Sequence, residues 1–483
     1  MEFLLLAAGI VGLIWGIVLL VRGNLVAGCM LYLPLTCCVG TYFWQIDLGP
    51  TTLSLDRFYL VALAAAFVVH WKLDKLDFKP VTWIDCFFAA FVGVIFVSMI
   101  THDFRNTLPN TPPTPQHFIN GYLIPTFLYF VVRSAPLRAK EITIGLWTLT
   151  GFGVYLAITG IMEAHGQWWA VFPKYIANPE IGLHFGRARG PMIQSVSYGM
   201  YLASCLAAAW ILKDRLSGMA SASLWLLQPL FAAAVYFTKT RSVWLGAASA
   251  LLVYFALATR GKVRAVILGT AILGGLGVIA LKSDAILSMK REFSAAETRK
   301  SADMRGSFAY VSWKMFQDHP ILGVGFGQFA GEKLHYLGDR SVNLDLESIR
   351  PYVHHNTFLA VLTETGLAGL IPFLATLMGW AYAGVKLSRD REGWVRAQGL
   401  LCVGTLAAAF WQMTGHEITF TTFDNSLIYT VAGMTSGLYA VRAMQAKSAA
   451  SPAAPLTTGL PTASSKIEAL LARARRATER SAT

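Results

Sequence analysis

Apolar residues run for roughly 20 positions at a time along most of this chain, and each run ends at charged or turn-forming residues. At about 1.5 Å per residue such a run crosses a hydrocarbon core of about 30 Å, so the pattern predicts membrane-spanning helices. Window hydropathy places about thirteen spans, near 3–21, 25–44, 54–71, 82–100, 118–132, 141–162, 191–212, 221–238, 241–258, 263–281, 355–384, 397–414 and 425–443. The expected fold is all-α, a polytopic membrane protein of about 12–13 transmembrane helices. The first span is expected to stay attached, with the N-terminus outside, because Glu2 precedes it and Arg22 follows it, the reverse of a basic signal-peptide start.

Polar positions orient the spans. Arg22, Lys72, Lys75, Lys79, Arg133, Arg138, Lys140, Lys213, Arg215, Arg260, Lys262, Arg264, Lys386, Arg389, Arg391 and Arg396 fall in alternate connections, which the positive-inside rule puts in the cytoplasm. The 444–483 tail joins that side, a flexible Ser/Ala/Pro stretch ending in a basic amphipathic pattern over 466–476 that suits anionic lipid as well as water. Segments 101–117, 163–190, 282–354 and 415–424 then face the exported side. Of the ten histidines only His70 lies elsewhere. A loop as long as 282–354 is more often functional than structureless. Within it, 303–318 places Phe308, Val311, Trp313 and Met315 among polar residues, as an amphipathic interfacial helix would.

Composition agrees: 55% of residues are hydrophobic and 14% charged. The net charge of +13 is mostly the topological signal and the basic tail, so no nucleic-acid partner is implied. The six cysteines lie in apolar runs without metal-ligand spacing and read as small hydrophobes.

Candidate chemistry gathers on the exported face. In PYVHHNTFLAVLTETGLAGLIPF (351–373), His354 and His355 stand at the mouth of a span that carries Glu364. An ionisable residue inside an apolar run is a functional candidate by default, the alternative being one interhelical hydrogen bond. Glu364, nine residues beyond His355, falls about 13 Å deeper on the opposite helix face and reads as structural or as part of a lipid pocket. Arg187 and Arg189 in HFGRARGPM, and Arg241 in FTKTRSVWLG, break the positive-inside bias. A guanidinium fits phosphate oxygens bidentately, while snorkelling to lipid headgroups is the plainer reading of Arg241. Nearby arginines favour a neutral His355, the form that takes a proton from a hydroxyl. Gly323-Val324-Gly325-Phe326-Gly327 lacks the strand and helix of a nucleotide loop and reads as a tight turn. His354, His355, His416 and Glu417 do not have zinc-site spacing, and no metal or other cofactor is expected.

Four segments, GRARGPMIQSVSYGMYLA (186–203), TKTRSVWLGAASALLVYF (238–255), SWKMFQDHPILGVGFGQF (312–329) and HHNTFLAVLTETGLAGLIPFL (354–374), together resemble the O-antigen ligase and polymerase superfamily of bacterial envelope glycosyltransferases. The likeness covers about 185–385. It implies N-terminal transmembrane helices over 1–184, a ligase-like membrane core over 185–443 that includes the periplasmic loop 282–354, and a cytoplasmic tail over 444–483. It further implies an inner-membrane enzyme that transfers a glycan from undecaprenyl diphosphate to an acceptor hydroxyl on the periplasmic face, by inverting, metal-independent displacement. The acceptor is a lipid A core, a protein, or another lipid-linked repeat if the chain is a polymerase; membrane lipids are the remaining partners. Carried over residue by residue, the resemblance makes His355 the base and Arg189 and Arg241 the diphosphate ligands. Arg187, Arg305, His354 and Glu364 are accessory candidates. Thr240 stands where the family has Ser, and Gln194-Ser195-Val196 replaces its Asn-Pro-Asn-like continuation. A non-enzymatic polysaccharide exporter is the reading from another class; it would show charged or broken helices near the midplane and repeat symmetry.

Overall fold

The computed structural model describes residues 16, 18–47, 52–104, 111–259, 261–266, 268–270 and 295–450. Most of the expected spans 3–21 and 263–281, the first part of the long loop and the basic tail helix lie outside the described residues. Six described helices are long and apolar enough to cross a membrane, consistent with a multi-pass, all-α membrane protein.

In chain order the helices are α1 (Leu25–Cys38), α2 (Leu55–Lys72), α3 (Trp83–Thr101) and α4 (Thr114–Phe118), which runs through a π-turn, Ile119–Leu123, into α5 (Ile124–Ser134). Then come α6 (Ala139–Ala164), α7 (Ser195–Lys213), α8 (Gly218–Phe237) and α9 (Arg241–Ala258). After these follow α10 (Ala295–Asp318), the single turn α11 (Phe329–Glu332), α12 (Thr357–Leu387), α13 (Gly393–Gly415) and α14 (Thr422–Ala450). A hairpin of β1 (Gln45–Asp47) and β2 (Thr52–Ser54) pairs Ile46 with Leu53. Val441–Thr483 forms a compact unit separate from residues 1–440; within it Arg442 Nη1 donates to Gln445 Oε1 at 3.0 Å.

Helix α7 is the axis of the bundle. Every residue from Ser195 to Leu212 is buried, because Gly199, Ala203, Ser204 and Ala207–Ala209 let neighbouring backbones approach closely. A Cβ at Gly199 would collide with Val243 of α9. Beside it, Phe88, Tyr129, Trp380 and Tyr429 form an aromatic core, with Phe88 at ring distances of 4.5, 5.3 and 5.1 Å from the other three.

Basic residues collect at one end of the bundle. There Arg133 pairs with Asp85 at 2.6 Å, Lys79 donates to Ala135 O and Arg215 to Gly393 O. The other end carries the loops of the candidate site.

The expected helix at 303–318 is part of α10. Phe308, Val311 and Met315 share one face and are buried, but against Phe329, Leu337, Leu346 and Ile349, so the helix closes a small core of its own. Trp313 departs from the expected apolar face and is 52% exposed.

Helix α12 is broken at Gly366, where φ is 57° and ψ is −155°. The Gly-rich segment fills the break: Val324 N donates to Thr363 O and Gly325 N to Glu364 O, both at 3.0 Å. In return Leu367 N donates to Pro320 O and Ala368 N to Ile321 O, both at 2.9 Å. This segment is more than a tight turn. Backbone groups freed by the break meet partners from the inserted segment, as an apolar environment demands.

Candidate functional site

The loop end of the bundle brings three helix N-termini to one corner. Ser195 Oγ at the start of α7 lies 3.1 Å from Thr240 Oγ1 at the start of α9. Ser242, one residue into α9, donates to Gln412 Oε1 of α13 at 3.0 Å. From α12, Asn356 Nδ2 donates to Thr414 O at 3.0 Å, and Thr357 Oγ1 to His416 O at 2.9 Å. The N-termini of α7, α9 and α12 bring partial positive charge here, Arg241 stands in the first turn of α9, and the C-terminal end of α13 brings partial negative charge to the same corner.

Three imidazoles line the same corner. His355 and His416 stack with ring centres 6.1 Å apart, and His184 meets His416 edge-on at 6.1 Å. Phe308 stacks on the His355 ring at 5.0 Å, and Tyr352 stands edge-on at 5.6 Å. His355 Nδ1 lies 3.2 Å from Val353 O, a carbonyl that only accepts, so Nδ1 carries the proton and Nε2 keeps its lone pair. Burial lowers the His355 pKa from its ordinary 6.5, carbonyl contacts partly oppose this, and Arg305 and Lys333 lower it further. A neutral imidazole with a fixed lone pair is a competent proton acceptor.

His184 is fixed by a longer relay. Thr240 Oγ1 donates to Thr238 O at 2.8 Å, so it accepts from Ser195 Oγ, which accepts in turn from His184 Nδ1 at 3.0 Å. The backbone here is strained: His184, Ile193 and Lys239 all have positive φ, at 64°, 49° and 47°. Such strain persists only where surroundings enforce it, and it concentrates at functional sites.

The two arginines of GRARG part company. Arg189 is fully buried, with Nε 3.1 Å from Glu163 Oε1, Nη1 donating to Ile181 O and Nη2 to Ile176 O and Asn178 O. Glu163 Oε2 accepts from Arg189 N and Gly190 N, both at 2.8 Å. Four of the five guanidinium hydrogens of Arg189 thus meet acceptors inside the protein. Arg187, two residues earlier, closes the turn that begins at His184, with Arg187 N donating to His184 O at 3.2 Å, and it is only half-buried.

His354 turns away from the corner. Its ring stacks on Phe329 at 3.5 Å, and neither nitrogen has a hydrogen-bond partner. Burial, with Lys333 and His355 adding to it, holds its pKa well below 6.5. Lys333, which sequence reasoning missed, is fully buried and donates to Ile349 O at 2.9 Å and to Tyr352 O, clamping the segment that enters His354 and His355. Burial, with Arg350 nearby, brings its pKa down to about 8.

Arg305 is exposed on α10. Glu364 is buried at the break in α12, nine residues from His355. Burial and the nearby Glu364 raise the Glu417 pKa well above the ordinary carboxylate range, while Thr419 Oγ1 donates to Glu417 Oε1 at 2.8 Å. Among the described residues no group of three or more His, Cys, Asp or Glu is arranged to hold a metal ion.

This is the architecture of a multi-pass membrane protein with an ionisable corner at one end of its bundle. The family model described as O-antigen ligase matches residues 222–374, from α8 through α9, α10 and the break in α12. That similarity supports an assignment at family level and enzymatic function in general. No curated protein matches the chain.

Proposed function

We propose that the chain transfers a glycan from undecaprenyl diphosphate to an acceptor hydroxyl, at the end of the bundle that carries His355 and facing the periplasm. The single observation behind this reading is a histidine with its lone pair fixed, 6.1 Å from His416, at a corner where Arg241 and three helix N-termini converge. His355 Nε2 takes the proton of the acceptor hydroxyl. The hydroxyl oxygen then bonds to the anomeric carbon, and the bond from that carbon to the diphosphate oxygen breaks with its electron pair leaving on the diphosphate. Attack from the face opposite the leaving group inverts the centre. Arg241 and Arg187, with the helix N-termini, stabilise the charge that grows on the diphosphate. Arg189 takes a positioning role, holding the 176–190 loop through Glu163. Glu364 and His354 have structural roles in this scheme, and Arg305 tunes the field at His355.

The break in α12 favours the exporter reading, because discontinuous helices line the sites of many transporters. Against it, the segment 320–325 meets four of the freed backbone groups, which fills the break with protein. Incubating the purified protein with an undecaprenyl-diphosphate oligosaccharide, with and without a lipid A-core acceptor, tests the proposal. Acceptor-dependent single-step transfer is the expected result, and a ladder of longer lipid-linked chains would make the protein a polymerase. Intact substrate under both conditions contradicts the transferase reading.

A further inference from the structure

The end of the bundle opposite His355 contains a second charged cavity. Helix α9 starts at Arg241 and ends at Ala258, which puts this cavity about 27 Å from the corner described above. It has a volume of about 290 Å³ and is lined by Leu257, Ala258, Arg264, Ser388, Arg389 and Arg396. Half of its lining is guanidinium, and none of it is acidic.

Two of these arginines are tethered. Arg264 donates through Nε and Nη2 to Thr259 O at 3.2 and 2.9 Å, and Arg396 through the same atoms to Asp390 O at 3.2 and 3.1 Å. Both acceptors are backbone carbonyls, which carry no formal charge. Arg389, the third, is exposed at the cavity mouth. A general excess of Lys and Arg at one membrane face does not require this arrangement, since repelling side chains can spread into water. Here the tethers hold the guanidiniums against one shared space. An anion lowers the energy of such a cluster, and phosphate oxygens match the guanidinium fork.

We infer that this cavity binds a phosphate-bearing anion, either the headgroup of an anionic phospholipid or free phosphate. Basic pockets between membrane helices suit such groups. The site is remote from the transferase corner and stands whether or not that reading holds.

The test is a thermal-stability titration of the purified full chain in neutral detergent. Phosphatidylglycerol, phosphatidylcholine and sodium phosphate are added in separate arms. Phosphatidylglycerol should raise Tm and phosphatidylcholine should not, with the rise fading at high salt. Arg389→Gln, an exposed position, should fold normally and weaken the response several-fold, and Arg264→Gln should weaken it further. A rise with sodium phosphate alone assigns the site to free phosphate; a rise with phosphatidylglycerol only assigns it to a headgroup. Equal responses to both lipids with none to phosphate, or an undiminished response in Arg389→Gln, would overturn the inference.

Discussion

Arg189 and Glu163 form a fully buried ion pair, Nε to Oε1 at 3.1 Å, and the carboxylate also receives the backbone N–H groups of Arg189 and Gly190. The pair fastens the loop that carries Arg187 to the end of α6. Two residues earlier in the same loop, Arg187 is half-buried.

Removing one partner of a buried pair leaves an uncompensated charge and costs about 3–5 kcal/mol. Arg189→Ala is therefore expected to lower Tm sharply or abolish folded protein. Arg241→Ala should remain folded and lose transfer by about 100-fold or more, the scale for losing a donor to a developing anion. Size-exclusion profiles and melting curves of the two variants check this; a stable, inactive Arg189→Ala would return that residue to the diphosphate site.

His184 should act through tautomer and orientation rather than by direct proton transfer. His184→Ala is expected to lower transfer about tenfold, within the range for a lost positioned proton-transfer group or less. Ser195→Ala should lower it in the same direction by releasing the relay to Thr240. Rates of both single variants and the double variant test the relay, which predicts a loss in the double variant smaller than the product of the two.

His354 is buried as a neutral ring, with a pKa held well below 6.5. Below pH 6.5 the unfolded chain binds a proton at this position that the folded chain does not, so stability falls as pH drops through that range. Each unit of depression is worth about 1.4 kcal/mol once pH lies below both values. His354→Phe keeps the stack on Phe329 without the titrating ring. Melting curves between pH 7 and 5 should fall more gently for this variant than for wild type, and parallel curves would contradict the assignment.

At Gly323 φ is 70°, and a Cβ there would collide with the backbone of Glu364 and Thr365. Gly323→Ala should therefore cost more than the roughly 1 kcal/mol expected for a left-handed alanine alone, because the segment must withdraw from the break in α12. A Tm unchanged within error would mean that the wedge does not hold the two halves of the helix together.

Six of the expected spans appear as long apolar helices among the described residues, because an apolar run of bilayer length has few other fates. The burial of Arg189 in an ion pair was not legible, since it depends on Glu163, 26 positions earlier, turning inward at the end of α6. His184 and His416 belonged to a general excess of exported histidines, and only the packing of α7, α9 and α13 places them beside His355. Lys333 carried no signal in the sequence because its acceptors are backbone carbonyls, which have no residue-type signature. The break at Gly366 was hidden for the same reason: the bonds that bridge it join backbone atoms, and glycines in an apolar run look like ordinary helix packing.

The most direct test of the central claim is the pH dependence of glycan transfer by wild type and His355→Gln, with binding of the lipid-linked donor measured in parallel. His355 must be neutral to accept a proton, and its pKa lies below 6.5. Wild-type transfer should accordingly hold its rate as pH falls to 6.5 and decline only below it, while His355→Gln binds donor with transfer reduced about 100- to 10,000-fold. Near wild-type transfer by His355→Gln, with the same acid limb, would contradict the role of His355 as the base.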